Sequence, residues 1–267
     1  MAHKVLVIGS QGYIGSRLCG YLIDKGIYCK GIDTGFFKKS LIKKTDDFLI
    51  CSKDVRNINE DEIKDFQCVV LLSAISNDPF GDLDPKLIYN PTTEYTLKIA
   101  KICKKKNIKF IFPSSCSVYG AAKLHEYLKE TSTTNPQTHY SINKLQIEEG
   151  LKKLSGDGFS PISLRFATIY GMSPRIRFDV VINMFCGMAI TSKEIKLNSN
   201  GNAWRPNLHI DDACETVFQC INKEFNNNDL NIINVGQDID NLKIIDIAHI
   251  VKKNVPESKI SFLNQGS

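Results

Sequence analysis

Apolar residues recur along this chain in two alternating rhythms. Residues 4–9, 28–32, 48–51, 69–72, 109–112 and 162–165 form short, nearly unbroken apolar runs, as strands buried on both faces do. Between them, stretches at 12–25, 60–65, 86–106 and 139–154 have helical spacing. In the first of these, Ile14, Leu18, Tyr21 and Leu22 mark the buried stripe. Strands that alternate with helices predict βαβ units, which need a parallel sheet covered on both sides. The predicted fold is α/β, with a doubly wound parallel sheet.

After about residue 172 the rhythm loosens. Helices are predicted at 178–189 and 211–223, separated by a polar loop at 198–202. Short strands at 232–235 and 259–262 flank a further helix at 243–252. This pattern reads as a small C-terminal α/β lobe, 172–267, closing over the carboxyl edge of a sheet domain spanning 1–171.

Composition narrows the class. The chain has 267 residues and is 42% hydrophobic, enough for a sizeable core. Its apolar runs are far shorter than the ~20 residues that span a bilayer, and Met1-Ala2-His3-Lys4 leads directly into the first strand. A cytoplasmic protein with no membrane partner is expected. Nine cysteines, an odd number with no Cys-x-x-Cys pair, read as reduced thiols and provide no zinc site. The net charge of +5 is spread in small clusters such as Lys38-Lys39, Lys43-Lys44 and 104–106. That distribution suits a solvated surface better than a nucleic-acid footprint, and it would attract an anionic diphosphate substrate.

Two motifs carry chemistry. Gly9-Ser10-Gln11-Gly12-Tyr13-Ile14-Gly15 falls where the first strand ends and the first helix begins. Glycine at 9 allows the tight turn, at 12 it lets backbone amides approach a pyrophosphate, and at 15 it permits close helix packing. A second strand ends in Ile32-Asp33, and a carboxylate there can hydrogen-bond both hydroxyls of an adenosine ribose. It would repel a 2′-phosphate and no arginine follows it, so NAD is expected rather than NADP. Asp54-Val55 follows the third strand, where Asp54 either meets the adenine amine or caps a turn. Leu72-Ser73-Ala74, after the fourth strand, leaves room for a cofactor beside a Rossmann-type sheet.

The second motif is Tyr140-x-x-x-Lys144, downstream of Ser114-Ser115-Cys116-Ser117 at the end of the fifth strand. Residues four apart share one helix face. An ammonium beside a phenol favours the phenolate, so Tyr140 could exchange a proton near neutral pH while Ser115 shares the substrate oxygen's proton.

Together these residues resemble the extended short-chain dehydrogenase/reductase superfamily, in its NAD-dependent nucleotide-sugar epimerase/dehydratase branch. The likeness runs through Ser114 to Gly120, Leu164-Arg165-Phe166-Ala167-Thr168-Ile169-Tyr170-Gly171 and Arg205-Pro206-Asn207-Leu208-His209-Ile210-Asp211-Asp212. The resemblance implies catalysis by Ser115, Tyr140 and Lys144. It implies cofactor contacts from Gly9 to Gly15 (Gln11, Tyr13 and Ile14 included), Asp33, Asp54, Val55, Leu72, Ser73, Ala74, Asn90, Tyr140, Lys144 and Phe166. Substrate contacts would come from Ser115, Ser117, Thr168, Asn183 and Arg205, with the last two holding a nucleotide diphosphate. It also implies a homodimer. Three departures matter. The acids that drive dehydration in sugar 4,6-dehydratases are replaced by Cys116 and Ser117, which disfavours loss of water. The family's Asn-Val-x-Gly-Thr helix start is here Asn90-Pro91-Thr92-Thr93-Glu94, and an aspartate common after the arginine is Pro206. The chain also stops at Ser267, where many relatives continue, and so reads as a shortened form or a variant.

Other residues have plainer readings. Cys116 reads as a packing residue, His209 as a structural hydrogen-bonding group with no metal partner, and Arg165 as internally paired. Trp204 either stacks on a ligand or packs within the lobe; Arg175 and Arg177 either clamp phosphates or sit in solvent. The leading expectation is an epimerase that oxidises a nucleotide sugar transiently and returns the hydride. A nucleotide-4-ketosugar reductase would use the same residues. A non-catalytic NAD-binding scaffold or sensor would not need Ser115, Tyr140 or Lys144.

Overall fold

The computed structural model describes residues 4–42, 49–75, 84–121 and 127–263. The first three residues, the Lys43-Lys44 pair, Phe48 and the chain end at Ser267 lie outside them. Within the described residues a seven-stranded sheet has the order β10-β6-β5-β4-β1-β2-β3, with every pairing parallel. Its strands are β1 (Lys4–Ile8), β2 (Tyr28–Asp33), β3 (Leu49–Ser52), β4 (Cys68–Leu71), β5 (Lys109–Ser115), β6 (Ile162–Phe166) and β10 (Asn231–Val235). The doubly wound fold predicted from the alternating rhythms is the one observed.

Helices cover both faces because the strands are apolar on both. Helix α1 (Tyr13–Asp24) packs beside α5 (Ile210–Asn222) in a core that includes Val5, Val7, Leu18, Leu22, Leu164 and Val217. On the other face α2 (Pro85–Lys106) and α3 (His139–Leu154) bury Ile99, Cys103, Ile147 and Leu151 against Leu6, Ile8, Phe110 and Phe112. Asp84 caps α2 by accepting from the amides of Lys86 and Leu87. Thr138 caps α3 through a reciprocal box with Ser141. Among the described residues no helix is long and apolar enough to cross a membrane.

A smaller α/β lobe gathers α4 (Val181–Thr191), α6 (Ile244–Asn254) and the parallel pair β8 (Glu194–Leu197) and β12 (Lys259–Phe262) around Phe185, Ile195, Leu197 and Ile247. A third sheet, β11-β9-β7, joins β7 (Thr168–Tyr170), β9 (Trp204–His209) and β11 (Asn241–Lys243).

The structure departs from the sequence reading in three places. The 232–235 strand, expected in the small lobe, is the core of β10 and pairs in parallel with β6 at the edge of the large sheet. The division after residue 171 therefore does not follow the strands: α5 and β10 return to the sheet, because β6 would otherwise present an open apolar edge. The helix expected at 60–65 is a single 3₁₀ turn, Glu60–Glu62, capped by Asn59. Finally, β7, β8, β9 and β11 were not anticipated; each is short, and β9 carries Arg205, Pro206 and Asn207, which hide its strand character.

Candidate active site

The strand order reverses between β1 and β4, and at such a switch point the carboxyl ends leave a crevice for a ligand. The glycine turn fills one side of it. Gly9 has φ +92°, and a Cβ there would lie 2.6 Å from the Ser73 amide nitrogen. A Cβ on Gly15 would lie 2.1 Å from the Gly9 carbonyl oxygen. Only glycine lets β1, β4 and α1 approach so closely. Gly12 is the N-cap of α1 and no side chain caps that helix, so its N-terminal amides and positive dipole end are left for an anion.

Asp33 is fixed opposite. Its Oδ2 accepts from the Gln11 amide and its Oδ1 from the Gly35 amide, each at 2.9 Å. Each oxygen keeps a lone pair for a ribose hydroxyl. Two cations nearby are already engaged: Lys53 pairs with Glu62, and Arg56 holds Asp54 in a two-point ion pair. These features fit NAD, which Gly9, Gly12, Gly15 and Asp33 would hold.

The cleft has a volume of about 2560 Å³, several times that of a site for one small ligand (~300–1,000 Å³). Gly9, Gly12, Tyr13, Ile14, Gly15, Asp33, Asp54, Val55, Leu72, Ser73, Ala74, Ser115, Ser117, Tyr140, Lys144, Phe166, Thr168 and Arg205 all line it. Three expected residues do not. Asn90 is exposed on the second turn of α2, because the helix begins at Pro85, five residues before it. Gln11 is buried, and its backbone amide is committed to Asp33. Asn183 is also buried and braces the lobe: it accepts from the Gly171 amide and donates to Tyr13 Oη and the Arg177 carbonyl. Asp54 lines the cleft and is also the turn cap, accepting from the Arg56 amide. Its pairing with Arg56 holds it below the usual carboxylate range.

Tyr140 and Lys144 lie one turn apart at the start of α3. Tyr140 is in the first turn of that helix. Lys144 is 4% exposed; its Nζ donates to the Pro113 carbonyl at 2.6 Å and lies 5.5 Å from the centroid of the Tyr140 ring. Burial brings its pKa down to about 7, against the pull of Glu148 one turn further along. Glu148 is fixed in turn by Arg165, at 2.6 Å, and by the Ser163 hydroxyl. Asn143 locks α3 to α2 through the Tyr89 carbonyl and the Thr93 hydroxyl. Ser115 Oγ accepts from the Ser117 hydroxyl at 2.9 Å and from its amide at 3.2 Å. Burial pushes the neighbouring Cys116 thiol up to about 11, with Arg205 opposing, so this sulfur stays protonated at neutral pH.

The plainer readings hold for two residues: Arg165 is internally paired, and His209 accepts from the Asp211 amide at the cap of α5. Sequence reasoning missed Glu148 as the counter-charge to Lys144, although its i+4 spacing was a usable signal. It also missed the approach of the 171–175 segment to α1, which no local pattern announces.

A parallel sheet with a glycine cradle at its switch point defines a dinucleotide-binding enzyme. The sequence profile of the NAD dependent epimerase/dehydratase family matches residues 5–236, so the chain belongs to that family and is an NAD-dependent enzyme. The bifunctional polymyxin resistance protein ArnA of Wigglesworthia glossinidia brevipalpis is 26% identical over 273 residues; the match takes in 93% of this chain and 40% of that protein. The chain thus spans less than half the length of that relative. Among solved structures, a UDP-N-acetylglucosamine 4-epimerase from Methanobrevibacter ruminantium, in complex with UDP-N-acetylmuramic acid, superposes with a TM-score of 0.85 at 23% identity. That likeness covers 100% of this chain and 87% of the other. A UDP-glucuronic acid 4-epimerase from Bacillus cereus, in complex with UDP-glucuronic acid and NAD, gives 0.81 at 24% identity over 98% and 86%. At these identities the likeness is one of fold.

Proposed function

We propose that the chain is an epimerase of a nucleotide-diphosphate sugar. The observation that carries this reading is Tyr140 and Lys144 on one helix face, in a cleft shared with Ser115 and the glycine cradle. NAD, when bound, supplies the acceptor and donor of hydride. Tyr140 takes the proton of a sugar hydroxyl during oxidation and gives it back during reduction. Lys144, when protonated, places a positive charge near the phenol, and Ser115 donates to the sugar oxygen. Arg205, exposed on β9 in the cleft wall, provides a cation for the diphosphate. The turn after β5 offers Cys116 and Ser117 and no carboxyl, which supports hydride return without loss of water. By resemblance the working unit is a homodimer, a point sedimentation velocity checks.

Turnover of a nucleotide sugar to its epimer, with no net change in bound cofactor, is the expected result. Stoichiometric consumption of NADH with a ketosugar would replace this reading with the reductase. Tyr140→Phe should lower turnover about 10²–10⁴-fold while NAD binding persists. Unchanged function in cells would instead favour a scaffold.

A further inference from the structure

Ser115 closes β5, and the chain passes at once into a single 3₁₀ turn, Cys116–Tyr119. That turn is wedged in place. Val118 is fully buried, and its carbonyl accepts from the Asn135 amide at 3.0 Å. The Tyr119 hydroxyl accepts from Arg165 at 2.8 Å and donates to Asn234 at 2.6 Å. Gly120 ends the turn at φ +70°, where a Cβ would collide with the Asn135 carbonyl oxygen. The Ser117 side chain is therefore carried on a fixed backbone, two residues from the serine that the proposed reaction uses.

A hydroxyl oxygen has one proton to donate and two lone pairs with which to accept. On Ser115 both lone pairs are taken, one by the Ser117 amide at 3.2 Å and the other by the Ser117 hydroxyl at 2.9 Å. What Ser115 has left is its proton, and it lines the cleft together with Tyr140 and Lys144. A serine in this state donates and cannot accept. The proton of a sugar hydroxyl then has one destination, the Tyr140 phenol, while Ser115 keeps its hydrogen bond to the oxygen left behind.

We propose that Ser117 is a positioning residue: by filling both lone pairs of Ser115 it makes that serine a pure donor toward the reacting sugar oxygen. This rests on the epimerase reading, and it gives Ser117 a task other than the substrate contact expected from the sequence. The gain is in rate, because a donor already aimed needs no reorganisation when charge develops on the oxygen.

The full chain, loaded with NAD, is first given UDP-, ADP-, GDP-, CDP- and dTDP-hexoses, and kcat and KM are measured on the one it turns over fastest. Ser117→Ala should lower kcat about ten-fold with KM unchanged, since the released Ser115 hydroxyl can turn its proton away. Ser117→Thr, which keeps both the hydroxyl and the amide, should restore the rate. In a Ser115→Ala background, Ser117→Ala should cost nothing more, the non-additivity of residues that act as one unit. A raised KM with kcat intact would make Ser117 a direct sugar contact and overturn the proposal. So would a threonine variant as slow as the alanine one, or losses that add in the double variant. Should Ser117→Ala fail to fold, Ser117→Cys, a poorer donor of similar size, decides by the same cycle. A wild-type chain that binds NAD yet turns over none of these sugars would overturn the epimerase reading itself, and the task given to Ser117 with it.

Discussion

Replacing Lys144 with methionine should make the cofactor-free protein more stable below neutral pH while abolishing its activity. Burial lowers the Lys144 pKa from an ordinary 10.5 to about 7. Between those values the unfolded chain binds a proton that the folded chain does not, so wild-type stability rises with pH across that window and is flat below it. At about 1.4 kcal/mol per tenfold change in proton affinity, the buried amine costs on the order of 5 kcal/mol at pH 7 and below. Methionine removes that cost but leaves the Pro113 carbonyl without its donor, a loss of about 1–3 kcal/mol. The net gain is about 2–4 kcal/mol at pH 6.5, or roughly 5–10 °C in Tm for a chain of this size. By pH 9.5 most of the cost has vanished for the wild type as well, so the advantage should be absent or reversed. Thermal melts of both proteins at the two pH values, without nucleotide, measure this. A variant no more stable at pH 6.5, or one with the same advantage at both, would refute the idea that burial of this amine is held for function.

Other perturbations probe the rest of the site. Gly15→Ala puts a methyl group 2.1 Å from the Gly9 carbonyl oxygen and should abolish NAD binding while destabilising the fold by about 1–3 kcal/mol, read by titration calorimetry and melting. Asp33→Asn removes the charge of a ribose acceptor already positioned by two amides; NAD affinity should fall about ten- to a hundred-fold and the preference over NADP should narrow. Glu148→Gln leaves Arg165, 3% exposed, without its counter-charge, and should cost about 3–5 kcal/mol in chemical denaturation.

The large sheet was legible because its strands are buried on both faces and their apolar runs stand out against the helical spacing between them. The 139–154 helix was read to the residue from its helical spacing; the structure adds the Thr138–Ser141 box that starts it. The cradle and the Tyr140/Lys144 pair were legible for a related reason: each lies within a few consecutive residues, where spacing maps directly onto geometry. What escaped was non-local. The pairing of β10 with β6, the ion pair between Glu148 and Arg165, and the contact of Arg175 with Phe37 join residues far apart in the chain. Asn90 was placed by resemblance alone, and in the structure it is exposed on α2.

The return of residues 231–235 to β6 has a consequence for how this protein comes into being. During synthesis β6 leaves the ribosome long before its neighbour exists, so its outer edge waits unpaired while the small lobe is still being made. A fragment cut at residue 171 keeps the whole glycine cradle yet lacks the strand that seals the sheet. It would expose the ladder of Ile162–Phe166 and aggregate edge to edge instead of behaving as a free-standing nucleotide binder.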